Sequence, residues 1–238
     1  MARLSDWARP EAVAEAAILR GCRSVAFTYN EPVIFAEYAS DCAWAAHDCG
    51  LKTVAVTSGY ISPSARPDFY RHIDAANVDL KALSETFYHR LCAGALAPVL
   101  DTLRWLAHET DIWLEITNLI IPGHNDAEGQ VERLIVWVLE NLGPDVPLHF
   151  TAFHPAFRMS DIPPTPGSTL SRARRQALTS GVRFVYTGNV YDPRGASTYC
   201  AGCGELLISR HGYSTDVTGL DDTGRCGNCG TLLPGRFG

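Results

Sequence analysis

The 238-residue chain carries 20 Lys+Arg against 26 Asp+Glu, and its formal net charge of −6 disfavours a general binder of nucleic-acid phosphates. With 46% hydrophobic and 19% charged residues it can build a sizeable core, which excludes global disorder, and its length suits one full domain plus a small one, or a single barrel. Apolar stretches such as Ala43 to Ala46 or Asn118 to Pro122 fall far short of the roughly 20 residues that cross a bilayer. Residues 1–9 carry Asp6 and no apolar centre, unlike a secretory signal. The expected compartment is the cytoplasm, with neither membrane nor nucleic acid as partner.

In chain order, Asp6 to Gly21 reads as a helix with Pro10 in its first turn and Gly21 as its stop. From Ser24 to about Val190, short apolar runs alternate with helical patterns. The strand candidates are Ser24 to Thr28, Thr53 to Thr57, Ala76 to Leu80, Ile112 to Leu119, Leu148 to Thr151 and Arg183 to Tyr186. The helix candidates are Val33 to Cys49, Arg66 to His72, Glu85 to Leu91, Val99 to His108, Ala127 to Leu142 and Leu170 to Ser180. This rhythm predicts an α/β fold with a parallel sheet covered by helices. A βα repeat should open with a strand, so the strand from Ser24 is expected to be an edge that lacks its partner. Past Gly195 the pattern turns to short, glycine-rich pieces, and the expected domains are 1–195 and 196–238.

The second domain holds Cys200-Ala201-Gly202-Cys203-Gly204 and Cys226-Gly227-Asn228-Cys229-Gly230, two CxxCG knuckles. Two residues between thiolates let backbone amides wrap a sulfur pair, glycine permits the tight turn that follows, and four sulfurs complete a tetrahedron. The spacing of about 20 residues leaves room for a hairpin through Leu206 to Ile208, the pattern of a zinc ribbon. With all four positions cysteine, the reading is a structural zinc, with rubredoxin-like iron as the alternative. Cys22, Cys42, Cys49 and Cys92 read as buried thiols, Cys42 and Cys49 on one helix face.

The strand ends run into polar, Gly- or Pro-bearing segments, and in parallel α/β folds ligands sit at that edge. Asn30 and Glu31 follow a strand and precede Pro32; a carboxylate there suits a ligand ammonium, or simply caps the next helix. Asp79 and Lys81 straddle Leu80 and share a face, as a ligand-binding or structural ion pair. His154 lies between Phe153 and Pro155, placed to hydrogen-bond or to stack on a base, or else structural. Pro122 to Asp126 reads as a turn followed by Asn or Asp capping a helix.

Taken in order, Gly21 to Pro32, Asn77 to Lys81, Ile121 to Asp126, Phe153 to Pro155, Tyr186 to Val190 and Thr198 to Cys200 resemble the radical S-adenosylmethionine (SAM) enzyme of the AmmeMemoRadiSam system, related to pyruvate formate-lyase activating enzymes. The resemblance covers essentially the whole chain. It implies a partial (β/α) TIM-like barrel, here lacking its first strand, plus a small C-terminal zinc ribbon. It also implies SAM and a [4Fe-4S] cluster as cofactors, with reductive cleavage of SAM to a 5′-deoxyadenosyl radical that abstracts hydrogen from a substrate. By the same resemblance Tyr29, Asn30 and Glu31 hold the methionine amino group of SAM, Asp79 and Lys81 lie by its ribose and carboxylate, Thr117 is the polar position on the next strand, and His154 lies by the adenosine. The Thr57-Ser58-Gly59-Tyr60 segment has Ser where the family often has Asn, and Ser58 receives no role. Memo-like and AMMECR-type proteins are candidate partners by family analogy alone; the substrate is not readable.

The departure concerns the cluster. Radical SAM chemistry needs three thiolates in CxxxCxxC, leaving one iron open to SAM, and the sequence contains no such motif. The resemblance places that loop just before the helix at Pro10, so a start at an internal Met of a longer protein is the favoured explanation, and a cluster-less remnant the other. In either case the chain as given is expected to be inactive in SAM cleavage. The competing functions are a degenerate module that binds SAM or a partner, and a metal-dependent barrel lyase, for which His154 alone offers too few ligands.

Overall fold

The computed structural model describes residues 8–236; the Asp6 end of the expected first helix and most of segment 1–9 lie outside the described residues. Helix α1 (Pro10–Leu19) leads to β1 (Ser24–Phe27), a 3₁₀ turn (Pro32–Phe35), α2 (Ala36–Asp48), β2 (Lys52–Thr57), α3 (Arg66–Tyr70) and β3 (Ala75–Asp79). Next come the short α4 (Glu85–Phe87) with a π turn (Tyr88–Cys92), α5 (Ala97–Glu109), β4 (Trp113–Ile120), α6 (Glu128–Asn141), β5 (Leu148–Ala152), α7 (Gly167–Ser180) and β6 (Val185–Gly188). The chain closes with α8 (Pro193–Ala196), β7 (Thr198–Tyr199), β8 (Leu206–His211) and β9 (Ser214–Val217). The result is a mixed α/β fold with a six-stranded parallel sheet in the order β1-β2-β3-β4-β5-β6 and a separate three-stranded sheet β7-β8-β9. Among the described residues, no helix is long and apolar enough to cross a membrane.

The chain divides into two compact units, Met1–Asp79 with Ala97–Leu114, and Leu80–Leu96 with Glu115–Gly238. In the first, β1 pairs with β2 and β2 with β3, both in parallel. Alternate β2 residues Thr53, Ala55 and Thr57 are buried, as are Ala39, Cys42, Ala43 and Ala46 of α2, which packs on β1 and β2. Small residues on both surfaces let helix and strands approach closely. In the second unit β4, β5 and β6 form parallel ladders. Their buried faces, Ile116, Leu148, Phe150 and Val185 among them, belong to a core that also holds Leu134, Ile135 and Val138 of α6 and Leu170, Ala173 and Ala177 of α7. Strict alternation along β4 leaves Trp113, Glu115, Thr117 and Leu119 half-buried on the opposite face.

Several boundaries differ from the sequence reading for local reasons. The helix expected from Val33 is interrupted at Phe35, because the turn before it is 3₁₀: the Ile34 amide donates to the Glu31 carbonyl at 3.0 Å. Strand β6 starts two residues late and runs on to Gly188, since Thr187 and Gly188 still pair with Phe150 and Thr151 of β5. Neither Asn125 nor Asp126 caps α6. Ala127 is its N-cap, and its amide donates instead to Gln130 Oε1. The expectation of buried thiols holds for Cys42 alone; Cys22, Cys49 and Cys92 are exposed. Cys22 follows the turn at Gly21, and Cys49 is the C-cap of α2, past the last helical residue Asp48, where it is exposed.

At the start of β3, Asp74 gathers donors. It accepts from Lys52 Nζ at 3.0 Å and the Thr53 amide at 2.8 Å, and pairs with His47 Nε2 at 2.8 Å. Burial by itself raises this carboxyl, but the bonds from His47, Lys52 and Thr53 outweigh it and bring the value down to about 2. The folded-state value is depressed, so the stabilisation is complete above the ordinary carboxylate range and is lost as pH falls from about 4 through about 2. Asp74→Asn is expected to cost about 1–2 kcal/mol at neutral pH, allowing for solvent screening of a partly exposed group; the difference from the parent in urea unfolding should shrink towards pH 2. Ile135→Ala, at a fully buried position, is expected to cost about 2–5 kcal/mol in the same assay.

Candidate functional site

In the first unit the segment after β1 is built around the Glu31 carboxylate. Its Oε1 accepts from Thr57 Oγ1 at 2.5 Å and from the Val33 amide at 3.3 Å, and its Oε2 accepts from the Ser58 amide at 2.7 Å. The side chain therefore caps the 3₁₀ turn and also joins the end of β1 to the end of β2. A carboxylate has about four acceptor sites; among the described residues three are filled, and one on Oε2 is left for a further donor. Thr57 is itself fixed, accepting from the Gly59 amide at 3.1 Å. Gly59 has φ +67°, and a Cβ there would meet Val78 Cγ1 at 2.8 Å, so the turn requires glycine.

Tyr29 and Asn30 are exposed, and Tyr29 has φ +70°, a conformation that is costly for an aromatic residue and concentrates at functional sites. Behind this segment Tyr70 is buried, and burial followed by the negative charge of Glu31 raises its hydroxyl above the usual phenol range. Asp79 is the last residue of β3 and is half-buried. The strand ends there, so Lys81 lies in the segment beyond rather than on the strand with Asp79.

In the second unit the Lys81 backbone is held from three sides. Its amide donates to Tyr88 Oη at 3.1 Å, and its carbonyl accepts from Asn118 Nδ2 at 3.0 Å and Asn125 Nδ2 at 2.7 Å. Asn118 and Asn125 are 2% and 4% exposed, so these amides are committed to the backbone. Asn125 also accepts from the Ile121 amide at 2.6 Å and donates to the Leu119 carbonyl at 2.8 Å. The Pro122 to Asp126 turn thus positions the loop that carries Lys81. Thr117 is half-buried on β4, and its carbonyl accepts from the Leu80 amide. His154 is exposed beyond β5, with Nε2 3.2 Å from the carbonyl of Asn189, whose side chain donates to Ala152 at 3.1 Å.

A second polar group, not singled out in the sequence, occupies the half-buried face of β4 to β6. His149 Nε2 lies 2.7 Å from Glu115 Oε2 and its ring stacks on Tyr186 at 4.9 Å between centroids. Tyr186 Oη is 2.9 Å from Thr198 Oγ1, which accepts from Arg210 at 2.7 Å. Burial raises the Tyr186 hydroxyl. Register could have revealed this group, since Glu115, His149 and Tyr186 all fall on the polar phase of their strands.

The four cysteines of the knuckles converge, with all Sγ atoms within 4.8 Å of one another. Cys200 and Cys229 are 3.5 Å apart, Cys203 and Cys226 3.7 Å. A tetrahedral zinc with bonds of about 2.3 Å sets sulfurs about 3.8 Å apart, so the donor set fits. Gly204 and Gly230, one after each pair, have φ +78° and +73°, and the Gly202 amide donates to Cys200 Sγ at 3.3 Å. Phe184, Leu207, Ile208 and Leu233 pack with Cys200 and Cys226 in a small core of their own.

No family model matches the chain. It is 40% identical over 225 residues to the uncharacterised protein MJ0808 of Methanocaldococcus jannaschii, covering 94% of this chain and 66% of that protein. A domain of a pyruvate formate-lyase activating enzyme from Bacteroides vulgatus superposes with TM-score 0.60 at 17% identity, over 70% of this chain and 99% of the domain. A radical SAM methyltransferase from Sphaerobacter thermophilus gives 0.60 at 18% identity, over 82% of this chain and 58% of the enzyme. SuiB of Streptococcus suis, in a structure with S-adenosylmethionine bound, gives 0.58 at 14% identity, over 75% and 40%. The chain thus spans 66% of its curated relative and has the partial-barrel fold of radical SAM enzymes.

Proposed function

We propose that this chain is the SAM-binding scaffold of a radical SAM oxidoreductase of the AmmeMemoRadiSam type, with a structural zinc ribbon over 196–238. The observation that carries the reading is the clamped Glu31 carboxylate after the first strand of a radical SAM fold. An anion held by three donors with one acceptor site left is prepared for a ligand ammonium, at a strand end where parallel folds bind ligands. SAM carries such an ammonium on its methionine portion. Memo-like and AMMECR-type proteins are proposed as partners by analogy with that family alone.

In radical SAM chemistry a reduced [4Fe-4S] cluster supplies the electron that cleaves SAM. The residues of this chain do not fit that cluster. CxxxCxxC is absent from the sequence, and among the described residues the converging cysteines are the four of the ribbon, all needed for one tetrahedral ion. The 238 residues as given therefore bind and orient SAM without cleaving it. Glu31 takes the ammonium; Thr57 and the Ser58 amide hold the carboxylate in place.

Three outcomes are expected. After anaerobic reconstitution with iron, sulfide and reductant, the chain forms no 5′-deoxyadenosine from SAM; chromatographic detection of that product would refute the inactivity. In equilibrium dialysis the parent binds SAM saturably and Glu31→Gln binds it at least tenfold more weakly, since a charge-assisted bond contributes about 1.5–3 kcal/mol; equal binding by both proteins rules Glu31 out. Elemental analysis finds one zinc per chain, and Cys203→Ser loses it along with the ordered ribbon. Iron with a thiolate absorption band would instead make the ribbon rubredoxin-like.

A further inference from the structure

A cavity of about 550 Å³ in the second unit is lined by the end of α7, by β6 and by the segment from α8 to the first cysteine knuckle. Its size is that of a small-molecule site. Its charge is unusual for this protein: three arginines, Arg174, Arg183 and Arg194, line it and no carboxylate does, although Asp+Glu outnumber Lys+Arg by 26 to 20 in the chain. Arg183 is neutralised by Asp145, to which its Nη1 donates at 2.9 and 3.0 Å. The other two are not. Arg174 is half-buried and anchored by Nε to the Val185 carbonyl at 2.9 Å, which fixes the guanidinium plane and leaves its two terminal nitrogens without a partner among the described residues. Arg194, exposed on α8, likewise has no partner there. Two guanidinium groups from separate elements, one of them oriented in advance, suit a ligand with more than one anionic group, because planar forks match carboxylate and phosphate oxygens.

We propose that this cleft is an anion-binding site that takes a small ligand bearing two or more carboxylate or phosphate groups. It is distinct from the Glu31 segment, which favours a cation, and it borders the ribbon at Cys200.

The test is isothermal titration of the zinc-loaded full chain with pyrophosphate and, separately, with the tricarboxylate tricarballylate at low salt. Saturable binding of either probe is expected, weakened at least tenfold in Arg194→Ala and in Arg174→Ala and reduced by added salt. Arg175→Ala, on the same helix but outside the lining, should bind like the parent. Arg194 is exposed, so its variant keeps the fold even if loss of the Arg174 anchor does not. Binding of pyrophosphate alone assigns a phosphate ligand, of tricarballylate alone a carboxylate ligand, and of both a site that accepts either group. No binding of either probe at millimolar concentration overturns the proposal, and so does binding that Arg194→Ala leaves unchanged.

Discussion

A parallel sheet cannot be closed by short hairpins, so each strand must be followed by a crossover that also covers the face it leaves apolar. Much of this molecule follows from that constraint. Along β2, β4 and β5 every second residue is buried, and the α2, α6 and α7 faces carry the small or branched residues that complete those cores. The phase left over along β4 to β6 is half-buried and free to be polar, which is where Glu115, His149 and Tyr186 meet. The crossovers also fix what stands at the strand ends, because each must turn within a few residues.

Those turns are held by side chains that accept or donate to backbone. Glu31 closes a 3₁₀ turn and ties β1 to β2, so capping and ligand binding are not competing accounts of it: the cap aims the carboxylate, and the remaining lone pair is what a ligand would use. Asn118 and Asn125 serve the Lys81 loop in the same way, exchanging an unsatisfied backbone for buried amide bonds. The ribbon solves a different problem. Its own core is a handful of side chains, few for stability at that size, and the four converging cysteines could hold a metal tetrahedron in place of a larger core.

The sequence made the strand and helix order legible because period-two and period-3.6 patterns survive wherever one face is buried. It made the cysteine quartet legible because CxxCG carries its own turn geometry, seen in the positive φ of Gly204 and Gly230. What it hid were choices between local partners. Asn125 follows a Pro-Gly turn and precedes a helix, a pattern that predicts capping; only the fold brings Lys81 to it across 44 residues. Cys49 shares a helical phase with Cys42 on paper, yet α2 stops at Asp48 and leaves it outside. The cleft at Arg174 and Arg194 has no motif, since its arginines lie 20 residues apart in sequence on separate elements that only the fold brings together.

In the proposed function, the anchored Glu31 carboxylate after β1 is an ammonium site for SAM. Its most direct test is a crystal structure of the chain grown with SAM. The methionine ammonium is expected within hydrogen-bond distance of Glu31 Oε2, with the bonds from Thr57 and Ser58 retained; SAM bound with its ammonium elsewhere, while Glu31 keeps only its three protein donors, would show that Glu31 is a cap and not a ligand site.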